Sequence, residues 1–301
     1  MRKNLIVPCL WFDDQAEAAA RFYVDAFGDG RVAMKSHYPS SGDNPSGKPP
    51  GSVLTVELEI LGQRFTALNG GPQFKINPTI SFFATVASAA EADRLFGALS
   101  PGGQVMMELG TYPWSERYGW IQDRFGVSWQ VMTAPDAAAP PRIFPCLMFA
   151  GAVHGRAEEA LKAYAGIFPD SKIEDLARYA KGEGPEGTVK HGRVRVGRQR
   201  LVAMDSHVHH GASFDEAVSL QVMCANQGEI DRYWEALSEG GSPGPCGWLK
   251  DRFGVSWQVV PEQIAEWMSS TDTAANDRAF AAVMDMTKLD LAAIQRAFGG
   301  Q

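Results

Sequence analysis

Cysteine is scarce in this chain: four residues in 301, with no CxxC pair. That excludes a disulfide framework and fits a reducing compartment. Positive charge is also in short supply. Lys and Arg number 28 against 35 Asp and Glu, a net charge of −7, which argues against a nucleic-acid face, since neutralising phosphates needs a basic surface. No apolar run approaches the roughly 20 residues that span a bilayer. The N-terminal stretch MRKNLIVPCLWFDD is too short in its apolar part for a secretory leader, and an acidic pair follows at once. A cytoplasmic protein with neither a membrane nor a nucleic-acid partner is the expectation. Glycine-rich phosphate loops are missing too. Gly182-Glu183-Gly184-Pro185-Glu186-Gly187 has the spacing GxGxxG, but no helix opens after it. Pro185 offers no N–H, and the two glutamates would repel a pyrophosphate, so it reads as a turn-rich loop.

What is present is a repetition. Residues 119–132 read GWIQDRFGVSWQVM and residues 247–260 read GWLKDRFGVSWQVV, with 11 of 14 positions identical. The echo is longer than that stretch. Ile6 to Phe12 corresponds to Ile143 to Phe149, and Ile80-Ser81-Phe82 to Val218-Ser219-Leu220. The chain is an internal duplication. The length fits two domains, and an apolar share of 45% suffices for two cores. The expected boundaries are 1–134 for the first domain, 135–142 for a Pro/Ala linker, 143–261 for the second domain and 262–301 for a helical extension.

Each half reads as two βαβββ units, an α+β fold. In the first unit a strand over Leu5–Phe12 precedes a helix opened by Asp14 in capping-box style and stopped at Gly28. A hairpin turns about Leu61-Gly62. In the second unit Ser88-Ala89-Ala90-Glu91 caps a helix through Leu99, and Val127–Met132 is a clear strand. An aromatic insertion, roughly residues 101–118, has only Ser242–Cys246 as its counterpart. Beyond Pro261 the pattern is helical, best over 274–286 and 290–298. Helices this short need a docking surface: a sheet rim of the chain's own domains or of a partner subunit is expected, and the mouth of a cleft, as a ligand-gating lid, is the alternative.

The segments PCLWFDDQAEAAARFYVDAF, QRFTALNGGPQF, GWIQDRFGVSWQV and CGWLKDRFGVSWQVVP resemble the vicinal oxygen chelate, or glyoxalase-like, superfamily. Within it they resemble the PhnB-like family that carries the name 3-demethylubiquinone-9 3-methyltransferase. The resemblance covers about residues 5–261. It implies curved sheets of paired βαβββ modules in tandem, around one cleft per half. It also implies where metal-using relatives hold a divalent ion: a His on the first strand, a His on the strand opening the second module and a Glu on the last strand. Those positions map here to Pro8, Ser81 and Gln130, and to Pro145, Ser219 and Gln258. Proline has no donor atom, and serine and neutral glutamine are poor ligands for such ions. No metal is therefore expected in either cleft. No cofactor is expected, and nothing resembles a methyl-donor site.

Strand alternation from those positions gives the candidate cleft faces. Pro8, Leu10, Phe12, Ser81, Phe83, Thr85, Ser128, Gln130 and Met132 fall in one. Pro145, Leu147, Phe149, Ser219, Gln221, Met223, Ser256 and Gln258 fall in the other. Trp120 and Trp248 flank them as plugs or as ligand-stacking walls. Cys9 and Trp11 face the helices on this reading. Apolar walls with a few neutral polar groups suit a small, partly apolar molecule. The alternative is that these side chains simply fill the sheets. Asp123 and Asp251 read as turn-fixing residues, and Cys246 as an inert thiol. His207, His209 and His210 read as a loop that binds metal adventitiously. Four functions stay open: metal-independent recognition of a small organic molecule, an unidentified reaction in the same cleft, metal-dependent lyase or dioxygenase chemistry, and a structural role. The two halves are expected to pack as an internal pseudo-dimer, with a further homodimer open.

Overall fold

The computed structural model describes residues 5–40, 46–134, 140–208 and 211–301. His209 and His210, and most of the linker, lie outside the described residues. Four βαβββ modules follow one another. The first is β1 (Ile6–Phe12), α1 (Ala16–Phe27), β2 (Gly30–His37), β3 (Val53–Ile60) and β4 (Gln63–Asn69). The second is β5 (Ile80–Val86), α2 (Ala89–Leu99), β6 (Gln104–Tyr112), β7 (Ser115–Gln122) and β8 (Ser128–Thr133). The third is β9 (Arg142–Phe149), α3 (Ala157–Ile167), β10 (Ser171–Arg178), β11 (Val189–Val196) and β12 (Gln199–Asp205). The fourth is β13 (Val218–Cys224), α4 (Gln227–Ser238), β14 (Ser242–Pro243), β15 (Trp248–Lys250) and β16 (Ser256–Pro261). Then come α5 (Ile264–Met268), α6 (Thr273–Met284) and α7 (Leu291–Gly299). The aromatic insertion is thus the long β6–β7 hairpin, and its counterpart β14–β15 is short.

The modules pair across the halves. One eight-stranded sheet runs β14-β15-β16-β13-β1-β4-β3-β2 and joins the first module to the fourth. The other runs β10-β11-β12-β9-β5-β8-β7-β6 and joins the second to the third. The seams are antiparallel, with Cys9 opposite Ser219 and Cys146 opposite Ser81. This corrects the expectation of one cleft per half: each concave face draws strands from both halves. The helical side works the other way. Tyr23 and Phe27 of α1 pack on Trp129 of the second module, and Tyr164 of α3 packs on Trp257 of the fourth. Every sheet therefore ties the halves together, and every helix layer ties the modules within a half. At the junction Gln63 and Gln199, equivalent in the repeat, bond to each other at 3.1 Å. Their side-chain amides serve the backbone of Ile6, where the β1–β4 ladder has not yet begun.

The helix starts follow local chemistry, with one correction. Ser88 accepts the Glu91 N–H at 3.2 Å while Glu91 accepts that of Ala87, one residue before the cap, a variant of the capping box. Asn226 and Glu229 repeat the device. Asp14 does not cap α1. Asn69, at the end of β4, accepts the Ala16 N–H at 2.9 Å, and its equivalent Asp205 accepts those of Gly155 and Ala157. A side chain distant in sequence thus satisfies the free N–H groups that every helix start leaves.

The recurring DRFGVSWQ segment has a structural reason. Asp251 Oδ1 accepts the backbone N–H of Phe253 and Val255, and Oδ2 accepts the Trp257 indole and the Tyr164 hydroxyl. Asp123 does the same for Phe125, Val127 and Trp129. Gly126 and Gly254 close the turns at φ of 89° and 86°, conformations that favour glycine. Burial pushes both carboxyls up while these donors pull against it. The pair fix turns, as their position beside Arg and Gly suggests.

Candidate functional site

The strand faces differ from expectation on β1 and β9. Leu10 and Phe12 lie in the core beneath the helices, as do Leu147 and Phe149. Alternation places Pro8 and Pro145 on that same side. Cys9 and Trp11 instead line a cavity on the first concave face. Cys146 lies on the second concave face with Phe83, Phe144 and Tyr118. The physical reason is that β1 and β9 are buried on both faces and read as unbroken apolar runs, so composition carries no phase. On β5, β8, β13 and β16, polar Ser and Gln alternate with apolar residues. There Ser81, Gln130, Ser219 and Gln258 lie where their strands' alternation puts them.

Each concave face therefore centres on a Cys–Ser–Gln set drawn from both halves: Cys9, Ser219 and Gln258, and Cys146, Ser81 and Gln130. Gln258 donates to Ser219 at 2.9 Å, and Gln130 donates to Ser81 at 2.8 Å. Burial pushes both thiols up to about 12, against hydrogen bonds from the neighbouring Ser and Gln. A thiol this reluctant to ionise is neither a ready nucleophile nor a ready ligand. The remaining donors are a neutral hydroxyl and a neutral amide. The set does not fit the hard or borderline divalent ion of metal-using relatives.

The two faces differ in what fills them. On the second, Phe83 stacks on Phe144 with centroids 5.6 Å apart. Tyr118 donates to Gln130 at 2.8 Å, and the Trp120 indole donates to Ser128 at 2.7 Å. Tyr112 and Trp114 close on Tyr118. Polar groups satisfy one another under aromatic cover, and Thr85 bonds the Arg142 carbonyl. On the first face the repeat-equivalents of Phe83, Phe144 and Tyr118 are Gln221, Val7 and Cys246. Three aromatic volumes are replaced by smaller side chains.

A cavity of about 640 Å³ occupies the first face. Its floor is Cys9, Thr66, Gln221, Ser256 and Gln258, and Trp11, Leu68, Phe74 and Trp248 form an aromatic and aliphatic side. Trp11 is fixed: its indole donates to the Gly71 carbonyl at 2.8 Å, and its ring lies where a Cβ on Gly70 would sit. The roof is the C-terminal extension. Ile264, Met268, Phe280, Val283 and Met284 face the cavity, while Met268, Val283, Leu289 and Ile294 pack on Val7, Met223 and Val260. Cys246 and Gly247 donate backbone bonds to Met286 and Thr287. The short β14–β15 hairpin leaves room for this roof. The extension thus docks on its own chain, at a cleft mouth. Met223 lies under it, and Trp248 is a wall of the cavity.

Composition and patterning did not single out Glu57 of β3. It is 8% exposed, lines the cavity and sits 2.7 Å from Thr66 Oγ1. The same hydroxyl lies 2.7 Å from the Gln221 carbonyl oxygen, and Gln221 donates to Gln258 at 3.2 Å. One hydroxyl proton cannot serve two acceptors. With Glu57 protonated, the chain Glu57, Thr66, Gln221, Gln258, Ser219 has one proton for every link. Burial pushes the Glu57 carboxyl up, against Thr66 and the nearby Arg64. A raised folded value means that its contribution to stability is full below the unfolded value and is lost as pH rises through the folded one. E57Q is therefore expected to remove a loss of stability that wild type shows over the pH range above an unfolded glutamate, about 4.3. Urea midpoints of both proteins across that range check this. Parallel pH slopes would contradict it.

The sequence profile of the 3-demethylubiquinone-9 3-methyltransferase family matches residues 4–132 and again residues 141–260. The chain belongs to this family. Its two copies of the family domain are the two halves described above. Among solved structures, a PhnB protein from Bacillus cereus is 32% identical over 42% of this chain and 98% of its own, with a TM-score of 0.38. Glyoxalase I from Zea mays is 14% identical over 87% of this chain and 95% of its own, with a TM-score of 0.54. The fold is that of the glyoxalase-like, vicinal oxygen chelate superfamily. No curated protein matches the chain. Among the described residues, no helix is long and apolar enough to cross a membrane.

Proposed function

We propose that this member of the family recognises a small organic molecule in the cavity beneath the C-terminal helices, without a divalent metal. The observation that supports the reading most is the contrast between the two faces. One is closed by its own aromatic side chains, and the other keeps a cavity of about 640 Å³, within the usual range for small-ligand sites. Its walls are largely apolar and its floor carries neutral polar groups, which orient a ligand without demanding charge. The family name describes methyl transfer, but among the described residues neither face offers a glycine-rich turn leading into a helix of the kind that holds a nucleotide-like methyl donor. The family name alone therefore does not assign that activity.

A second reading has support from Glu57. Burial pushes this carboxyl up, and at the end of a hydrogen-bonded chain it is placed to deliver a proton whenever it holds one, so an acid-assisted reaction in the same cavity is the alternative.

Filling the cavity tests the proposal. Ala265 of α5 lines it from the roof. A265W is expected to weaken binding of small aromatic and alicyclic compounds at least tenfold by ligand-observed NMR, with little change in melting temperature. Binding that survives A265W unchanged, or a compound set that never binds wild type, would contradict the assignment.

A further inference from the structure

The duplication supplies an internal comparison for one buried hydroxyl. Ser128 and Ser256 are equivalent in the repeat and are 0% and 1% exposed. Ser128 accepts the Trp120 indole N–H at 2.7 Å. Ser256 Oγ is buried with no hydrogen-bond partner among the described residues. The register around it is unchanged, with Trp120 opposite Gln130 and Trp248 opposite Gln258. The difference is the tryptophan. Trp248 packs edge-on against Trp11, centroids 6.0 Å apart, and both line the cavity. Its indole does not return to Ser256. One hydroxyl and one indole N–H that satisfy each other on the closed face are thus both released on the open one.

A buried hydroxyl without a partner is costly, and native interiors rarely keep one. The charged group at the rim, Lys250, is already paired with Glu216 at 3.0 Å, so a counter-ion for an anionic ligand is not on offer there. The aromatic corner of Trp11, Phe74 and Trp248 offers ring faces and edges. The geometry points to Ser256 and Trp248 as a two-donor grip on an uncharged oxygen, a carbonyl or phenolic oxygen, of a ring compound seated against Trp11. This deepens the cavity reading above and rests on it.

The test uses the full-length protein and a matched pair of bicyclic probes, 1-tetralone and tetralin, which differ in one carbonyl oxygen. Wild type is expected to bind 1-tetralone about tenfold more tightly than tetralin, the size of one well-made hydrogen bond. S256A is expected to cut that ratio to about threefold or less while tetralin binding holds, and W248F, which also trims the cavity wall, is expected to cut the ratio while weakening both probes. S128A, on the closed face, leaves the ratio unchanged. Equal binding of the two probes by wild type would overturn the grip while leaving the cavity assignment intact. So would equal losses for both probes in S256A, since that is what a structural role gives. Failure of both probes to bind wild type would count against the grip and the cavity together. The unliganded variants give a second readout. S128A strips the Trp120 indole of its acceptor and should lower the melting temperature, whereas S256A should hold or raise it. An S256A loss equal to that of S128A would show that Ser256 already has a partner, and would overturn the proposal.

Discussion

Replacing Asp251 by alanine is expected to cost about 4 kcal/mol of stability, roughly 10 °C in melting temperature for a chain of this size. The carboxylate holds four donors at 2.7–3.0 Å: two backbone N–H groups, the Trp257 indole and the Tyr164 hydroxyl. It is 6% exposed, and Trp257 is 0% exposed, so water does not readily replace it. Asparagine does not rescue the site, because its amide NH₂ meets donors where the carboxylate oxygen accepted. A somewhat smaller loss, about 3 kcal/mol, is expected for Asp123→Ala, since Asp123 accepts from three donors. Urea denaturation with an unchanged slope checks both. A cost below about 1 kcal/mol would mean that the turn is held by the backbone alone.

Truncation after Pro261 is the second large effect. It removes Met268, Ala275, Ala279, Val283, Leu289 and Ile294, all buried, and uncovers Val7, Met223 and Val260. At roughly 1.5–3 kcal/mol for each large buried side chain, offset by the ordering entropy of the helices, a net loss of about 3 kcal/mol or more is expected. The extension is also tied to the first half, where Ser40 donates to Asp277 and Tyr38 packs on Phe280. Truncation therefore both loosens the fold and unroofs the cavity. Melting curves and size-exclusion chromatography check it. A truncated protein with unchanged melting temperature and association state would show that the extension is not a structural clamp.

Much of this was legible in the sequence, and the failures have physical causes. The duplicated segment announces the tandem modules, and the Ser88–Glu91 capping box and the Leu61-Gly62 turn place their elements. Polar alternation on β5, β8, β13 and β16 fixes which side chains face inward. On β1 and β9 nothing alternates, because both faces are buried, so pattern does not distinguish the proline from the cysteine that stands on the concave face. The pairing of the first module with the fourth could not be read either. Near-identical modules present near-identical edges, so pattern alone does not say which copy pairs with which. The hollow face corresponds to three positions where Phe83, Phe144 and Tyr118 have Gln221, Val7 and Cys246 as counterparts, and substitutions of that kind do not announce a cavity until the strand pairing is known. The amphipathic tail required a docking surface, but its pattern does not say which one. Glu57 carries no signal in the pattern, because a lone glutamate on a strand ordinarily faces water.

The central claim is that the face beneath the C-terminal helices, and not its aromatic-filled twin, takes the ligand. The chain's eight tryptophans report on it directly through their indole ¹H–¹⁵N resonances during a titration with 1-tetralone. The account predicts that Trp11 and Trp248 shift in step with saturation while Trp120, Trp129 and Trp257 stay in place. Shifts centred on Trp120, or saturable binding that leaves Trp11 and Trp248 unmoved, would contradict it.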